Sequence, residues 1–317
     1  MKVLVVGPGA MGTLFSGMLA FGGHEVWLLG RRTEVVAAIA REGVTVVRGD
    51  TRRTVRVNPT VRAGDAGPAE LVIVFVKGYD TLQACKDALP SVGPETVVLT
   101  LQNGLDNVET IASVVGRDKV LAGVTAHGAT LLGPGLVRHA GEGETAIGEL
   151  DGRETDRLRR VAAAFRRAGI EVELSQAVDS LIWGKLVVNA AINPLTALLR
   201  VPNGELLARE DARRLMRAAA LEAVAVAQAL GIPLPYPDPV ERVETVCRLT
   251  ASNRSSMLQD VDRGIQTEID LINGAVAREG ESHGVPTPVN WTLTHLVRAL
   301  TDAASPKARG SAPDSNR

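Results

Sequence analysis

The 317-residue chain has only two cysteines, Cys85 and Cys247, far apart and with no CxxC spacing. That excludes a disulfide framework and a thiolate knuckle, and leaves two small core hydrophobes in a reducing compartment. Aromatic residues make up 3% of the chain, while Ala, Val, Leu and Gly are abundant. Such a composition suits a buried parallel sheet packed by helices. Neither charge sign is in excess, with 35 Lys plus Arg against 36 Asp plus Glu. The balance gives no pull toward nucleic acid. No run of about 18 apolar residues is evident, so no membrane span is expected. The first strand begins at Lys2, leaving no room for a signal peptide. The five histidines, His24, His127, His139, His283 and His295, show no paired ligand spacing, and no metal is expected. His127, close to a predicted strand end, reads as structural. The class implied is a cytoplasmic α/β protein.

What is present is strand–helix alternation. Apolar runs of strand length occur at 2–6, 25–29, 71–76, 96–101 and 120–126, separated by helix-length sequence. This predicts a Rossmann-type doubly wound sheet with right-handed crossovers. Residues 129–140 read as a hairpin around "GPG", with "ETAIGEL" as its third strand, forming an antiparallel edge. A helix over 153–168 and a strand over 171–174 complete this half. Strand signals then vanish. Helical patterns cover 180–193, 211–230, 240–249, 268–281 and 289–303. The expected organisation is a dinucleotide-binding domain over 1–175, an all-α substrate domain over 176–303 and a disordered tail over 304–317, polar and rich in Pro, Gly and Ser.

Gly7-Pro8-Gly9-Ala10-Met11-Gly12 follows the first strand directly and opens the first helix. A lone GxGxxG is weak, and a glycine turn without a ligand is its bland alternative. Between strand and helix it reads as a pyrophosphate cradle, with free N–H groups at the helix start facing the anion. At the end of the second strand, where an acid would bind a ribose 2′-hydroxyl, stand Arg31 and Arg32. Guanidinium suits a 2′-phosphate, so NADPH is expected over NADH. Lys77 and Asn103 follow the next two strands, on the edge where open α/β sheets take ligands.

The second half carries its own signal in "GKLVVNAAINP". Lys185, Asn189 and Asn193 recur every four residues within an otherwise apolar run. At about 100° per residue they form one narrow stripe. An ordinary exposed face would be broader and more charged, so a cleft wall is the better reading. Pro194 is expected to end or kink the helix. Three further groups each have a plain structural reading. Ser256 with Gln259 fits a capping box, Glu268 complements a helix dipole, and Asn203 can start a helix.

Taken together, "GPGAMG", "VKGYD", "QNG", "HGATLLGPGLVRHAG", "WGKLVVNAAINPLTALL", "NRSSMLQDV", "TEIDLINGAV" and "HGVPTPVN" resemble the ketopantoate reductase (2-dehydropantoate 2-reductase) family. Members are NADPH enzymes of pantothenate and coenzyme A biosynthesis. The likeness runs from the glycine loop to about residue 298. It implies that Lys185 is the catalytic lysine and Glu268 the essential carboxylate. Asn189, Asn193, Asn203, Asn253 and Ser256 would hold the substrate. Gly7, Gly9, Ala10, Met11, Gly12, Arg31, Lys77 and Asn103 would hold NADPH/NADP+. The implied partner is a small 2-oxo acid, and the implied assembly a monomer or homodimer. Two alternatives stand beside this reading. One is a reductase of another 2-oxo acid in the same family. The other is a non-catalytic NADP-binding sensor, which would not need Lys185, Asn189, Ser256 and Glu268 together.

Overall fold

The computed structural model describes residues 1–302; the tail expected over 304–317 lies outside the described residues. The chain divides into two compact units, residues 1–102 with 106–181, and residues 103–105 with 182 onward.

The first unit begins with β1 (Lys2–Val6), α1 (Ala10–Phe21), β2 (Glu25–Leu29) and α2 (Thr33–Glu42). Three short strands follow, β3 (Val44–Arg48), β4 (Thr51–Val55) and β5 (Asn58–Thr60). Next come β6 (Ala69–Val74), α3 (Thr81–Ala88), β7 (Val92–Thr100), α4 (Asn107–Val115) and β8 (Val120–Thr125). The unit closes with β9 (Gly128–Gly133), β10 (Leu136–Gly141), β11 (Thr145–Glu149), α5 (Asp156–Arg167) and β12 (Val172–Leu174). The main sheet runs β12-β11-β8-β7-β6-β1-β2-β5. Its pairs are parallel except β8 with β11. Its central strands are apolar throughout because both faces are covered. Leu14, Phe15 and Phe165 pack on one side, and Ala84, Cys85 and Ile111 on the other.

The hairpin and its neighbour need correcting. β9 and β10 do pair, but in a separate four-stranded sheet of order β4-β3-β10-β9. β11, expected as the hairpin's third strand, instead joins β8 in the main sheet. Close approach explains the choice: a Cβ at Gly123 would lie 2.1 Å from the Ala146 carbonyl oxygen. The buried hydroxyls of Thr145 and Thr125 meet at 3.0 Å across the same pair.

The second unit is helical: α6 (Val178–Leu199), which begins in the first unit, α7 (Glu205–Ala208), α8 (Glu210–Ala229), α9 (Pro239–Leu249), α10 (Ser256–Asp262), α11 (Asn273–Ser282) and α12 (Pro288–Asp302). Leu186, Ala190, Met216, Ala220, Ala223, Val276 and Val297 form its core. Alanines supply much of the buried face of α8. Two expectations change here. α6 continues through Pro194 to Leu199 rather than ending there. By length and composition α6 is also apolar enough to cross a membrane, although two thirds of that stretch is buried inside the protein.

Candidate active site

In the first unit the glycine loop has the shape that its spacing implies. Gly7 adopts φ +104°, a conformation that side chains resist, and a Cβ there would meet Val76 at 2.9 Å. A Cβ at Gly12 would lie 1.9 Å from the Gly7 carbonyl oxygen, so helix and turn touch. Gly9 faces open space and is the N-cap of α1, with no side chain capping the helix and no acid in its first turn. The opening N–H groups, which include Ala10 and Met11, therefore point a positive dipole end at a cradle suited to a phosphate.

The end of β2 packs on this loop, since a Cβ at Gly30 would meet Pro8 at 2.8 Å. Arg31 follows. It is 56% exposed, and its Nη2 lies 2.7 Å from the Asp80 carboxylate. Asp80, the N-cap residue of α3, was given no role by sequence reasoning, and it takes one corner of the guanidinium while leaving the others available. Arg32 caps α2 and stands 3.9 Å from Glu34, a loose surface contact. Lys77 is half-buried just beyond β6, at the start of a short turn whose Asp80 N–H bonds back to the Lys77 carbonyl. His127 keeps its structural reading: Nδ1 is 2.9 Å from His139 Nε2, and the ring meets Phe15 edge-on. Burial pushes its pKa down to about 4, aided by His139 and Arg48, so the His127 ring is neutral at pH 7.

In the second unit the polar stripe of α6 is realised on a helix packed nearly all round. Leu186, Val187, Ala190, Ala191 and Ile192 are buried, and between them stand half-buried Lys185, half-buried Asn189 and buried Asn193. Burial pushes the Lys185 pKa down to about 8, against the opposing pull of Glu268. Glu268 is 7% exposed and precedes a single 3-10 turn, Ile269–Leu271, rather than the long helix expected over 268–281. Leu271 and Ile272 donate their N–H groups to the Glu268 carbonyl, which fixes the backbone beneath the carboxylate. Asn103 belongs with these groups by packing. Its Oδ1 is 3.5 Å from Asn189 Nδ2, and the next residues are held by the Leu105 N–H to the Leu271 carbonyl. A Cβ at Gly104 would collide with that carbonyl at 2.5 Å.

Lys185 is braced from behind as well. The Tyr236 hydroxyl donates to the Gly184 carbonyl at 2.8 Å. Gly184 permits this approach, because a Cβ there would meet Pro235 at 2.7 Å. Burial raises the Tyr236 pKa to about 12, which keeps the donor protonated.

The remaining positions have surroundings of their own. Asn203 is buried, donates Nδ2 to the Thr250 hydroxyl at 2.9 Å, and donates its N–H to the Asn253 carbonyl at 3.0 Å. Its Oδ1 is buried without a partner. Asn253 and Ser256 are exposed. The proposed capping box at Ser256 is corrected by one residue. Ser255 is the N-cap of α10 and accepts from the Leu258 N–H at 3.1 Å, with Thr196 Oγ1 of α6 at 2.7 Å. Ser256 does not cap the helix; it is its first residue and is exposed. The cluster of one amine, one carboxylate and three amides can polarise a carbonyl, hold hydroxyl and carboxylate oxygens, and move a proton.

Comparison with known proteins adds to this geometry. The family model described as "Ketopantoate reductase PanE/ApbA" matches residues 3–152, and "Ketopantoate reductase PanE/ApbA C terminal" matches residues 177–301. A 2-dehydropantoate 2-reductase of Halobacterium salinarum is 42% identical, the alignment covering 94% of this chain and 98% of that protein. One from Archaeoglobus fulgidus is 39% identical over 94% of this chain and 97% of its own length. Among solved structures, a PanE/ApbA family ketopantoate reductase from Ralstonia eutropha JMP134 superposes with TM-score 0.88 at 36% identity, covering 96% of this chain and 99% of that one. A D-mandelate dehydrogenase in complex with NADH and anilino(oxo)acetate superposes with TM-score 0.91 at 28% identity, covering 96% and 99%.

Proposed function

This chain belongs to the ketopantoate reductase family, and from that premise we propose that it reduces ketopantoate to pantoate with NADPH in the cytoplasm. The observation that carries the reading is Lys185: a half-buried amine with pKa about 8, opposed by one buried carboxylate and followed by two amides on the same stripe. The full-length 2-dehydropantoate 2-reductase relatives favour ketopantoate over another 2-oxo acid. A binding-only sensor would have no use for a costly, desolvated amine.

The glycine loop fits a dinucleotide, with its bare helix N-terminus and the open face of Gly9. In the reading proposed, Gly7, Gly9, Ala10, Met11 and Gly12 receive the pyrophosphate, and Arg31 takes the 2′-phosphate. Lys77 and Asn103 make further contacts. A reduced nicotinamide, when bound, supplies the hydride.

The protein's part is electrostatic and positional. As hydride reaches the C2 carbonyl of the 2-oxo acid, negative charge grows on its oxygen. The Lys185 ammonium stabilises that oxygen and then delivers a proton from Nζ. Burial strengthens the interaction, and Glu268 keeps the amine charged near neutral pH. Asn189 and Asn193 orient hydroxyl and carboxylate oxygens without adding charge, with Ser256 on the carboxylate and Asn203 and Asn253 shaping that end. The domain assignment follows: residues 1–175 bind the nucleotide, and 176–303 bind and protonate the substrate. The test is the fall in NADPH absorbance on adding ketopantoate, against a panel of other 2-oxo acids. Faster turnover of a different oxo acid reassigns the substrate; tight NADPH binding with no turnover on any of them selects the sensor.

A further inference from the structure

Pro194 lies inside α6 and has no N–H, so the carbonyl of Ala190, one turn earlier, loses its helical donor. That carbonyl belongs to a buried residue one position after Asn189 on the same helix. It is not left bare. Asn273, at the start of α11 and 0% exposed, donates Nδ2 to it at 2.9 Å.

The second Nδ2 hydrogen of Asn273 goes to Asn290 Oδ1 at 2.9 Å. Both neighbours are acceptors, so the amide has one sensible orientation. Asn290, also 0% exposed, donates to the Ala219 carbonyl at 3.0 Å and to Glu222 at 2.8 Å. Glu222 in turn accepts the N–H groups of Val289 and Asn290 at the start of α12. A chain of bonds rooted in α8 and α12 thus ends on α6. It passes through a residue only five positions after Glu268, with the intervening turn closed on the Glu268 carbonyl. Asn273 Oδ1 is buried without a partner. A stranded acceptor of this kind costs about 1–3 kcal/mol, which the two buried bonds donated by Nδ2 offset.

We infer that Asn273 is a positioning residue for the reaction proposed above: its amide replaces the donor that Pro194 withholds from Ala190, and so clamps the Glu268 segment to the helix carrying Lys185, Asn189 and Asn193. The inference rests on that functional reading. Where Asn273 is anchored decides how near Glu268 stands to Lys185, and where the two amides point.

The test is a double-mutant cycle of N273A, P194A and N273A/P194A, with each fold checked by circular dichroism. Alanine at 194 restores an N–H four residues beyond Ala190, so it can take over the lost bond. N273A is expected to lower kcat about 10- to 100-fold at unchanged KM for NADPH, as misplacement of reacting groups does. The alkaline limb of its pH profile should move to lower pH, because Glu268 no longer supports the charge on Lys185. The double variant should recover at least about threefold in kcat and move the limb back. Should N273A not fold, N273S takes its place in the same cycle. A single variant within about twofold of the parent kcat, or a double variant no more active than the single one, overturns the inference. Parent protein without turnover removes the functional reading instead, and this inference with it.

Discussion

Replacing Lys185 by Met should reveal the cost of keeping a half-buried amine on α6. The folded pKa is about 8 against 10.5 in the open chain, and burial is the larger cause. At about 1.4 kcal/mol per tenfold, the charged form is disfavoured on folding by about 3 kcal/mol. The sign follows from proton counts. Below pH 8 the amine is protonated in both states and the penalty is complete. Between pH 8 and 10.5 the unfolded chain binds more protons, so stability rises with pH. Above 10.5 the penalty is gone. Methionine keeps the length without the charge, but takes a cation away from buried Glu268, and that separate cost is the same at both ends of the range. The informative quantity is therefore the change in the gap between parent and K185M. From pH 7 to 10.5 the parent should gain about 3 kcal/mol on the variant. Urea unfolding followed by the fluorescence of Trp183, buried two residues before Lys185, measures it. A gap constant to within about 1 kcal/mol over that range would refute the buried-amine argument, and with it the reason for assigning proton delivery to this group. The same variant should lose about two to four orders of magnitude in kcat/KM, with kcat falling in parallel.

Glu268→Gln removes the charge that opposes burial of Lys185, so the alkaline limb of kcat/KM should move to lower pH; an unmoved limb shows that Glu268 does not act on this amine. Arg31→Ala should raise KM for NADPH about 10- to 100-fold and leave NADH nearly unaffected, and equal losses with both reject the 2′-phosphate assignment. The corrected helix cap separates two neighbours. Ser255→Ala should cost about 1 kcal/mol in unfolding experiments, whereas Ser256→Ala should leave stability alone and raise KM for ketopantoate. Equal stability losses would return the cap to Ser256.

The main sheet was legible because buried parallel strands announce themselves as unbroken apolar runs, and the glycine loop because its constraints are local. β4 was not legible, since four of its five residues, Thr51 to Thr54, are exposed and form no apolar pattern. β11 was given the wrong partner because a strand's pairing depends on distant glycines such as Gly123, which a local reading cannot weigh. The stripe from Lys185 to Asn193 could be read from spacing alone, but its supports could not. Tyr236, Asn273 and Asn290 act across 52, 83 and 71 positions in the chain, on carbonyls that have no sequence signature. Asp80 stood in a motif already quoted, yet its hold on Arg31 depends on two strand ends meeting in space.

α6 shows why composition misleads at such a site. A helix meeting protein on nearly every face needs apolar residues all round, and so satisfies the length and hydropathy of a membrane span. What separates the two cases is how the polar groups are accommodated. In lipid, Lys185, Asn189 and Asn193 would each need a partner from another helix, and the carbonyl freed by Pro194 would need a donor within hydrocarbon. Here Glu268 opposes the desolvation of Lys185, Asn103 approaches Asn189, and Asn273 meets Ala190. Pro194 then reads differently from its usual role as a helix stop. By denying Ala190 its own helical bond, it leaves an acceptor that only a residue on another segment can fill. The chain gives up one helical bond and gains a fixed contact between its amine-bearing helix and its carboxylate-bearing turn.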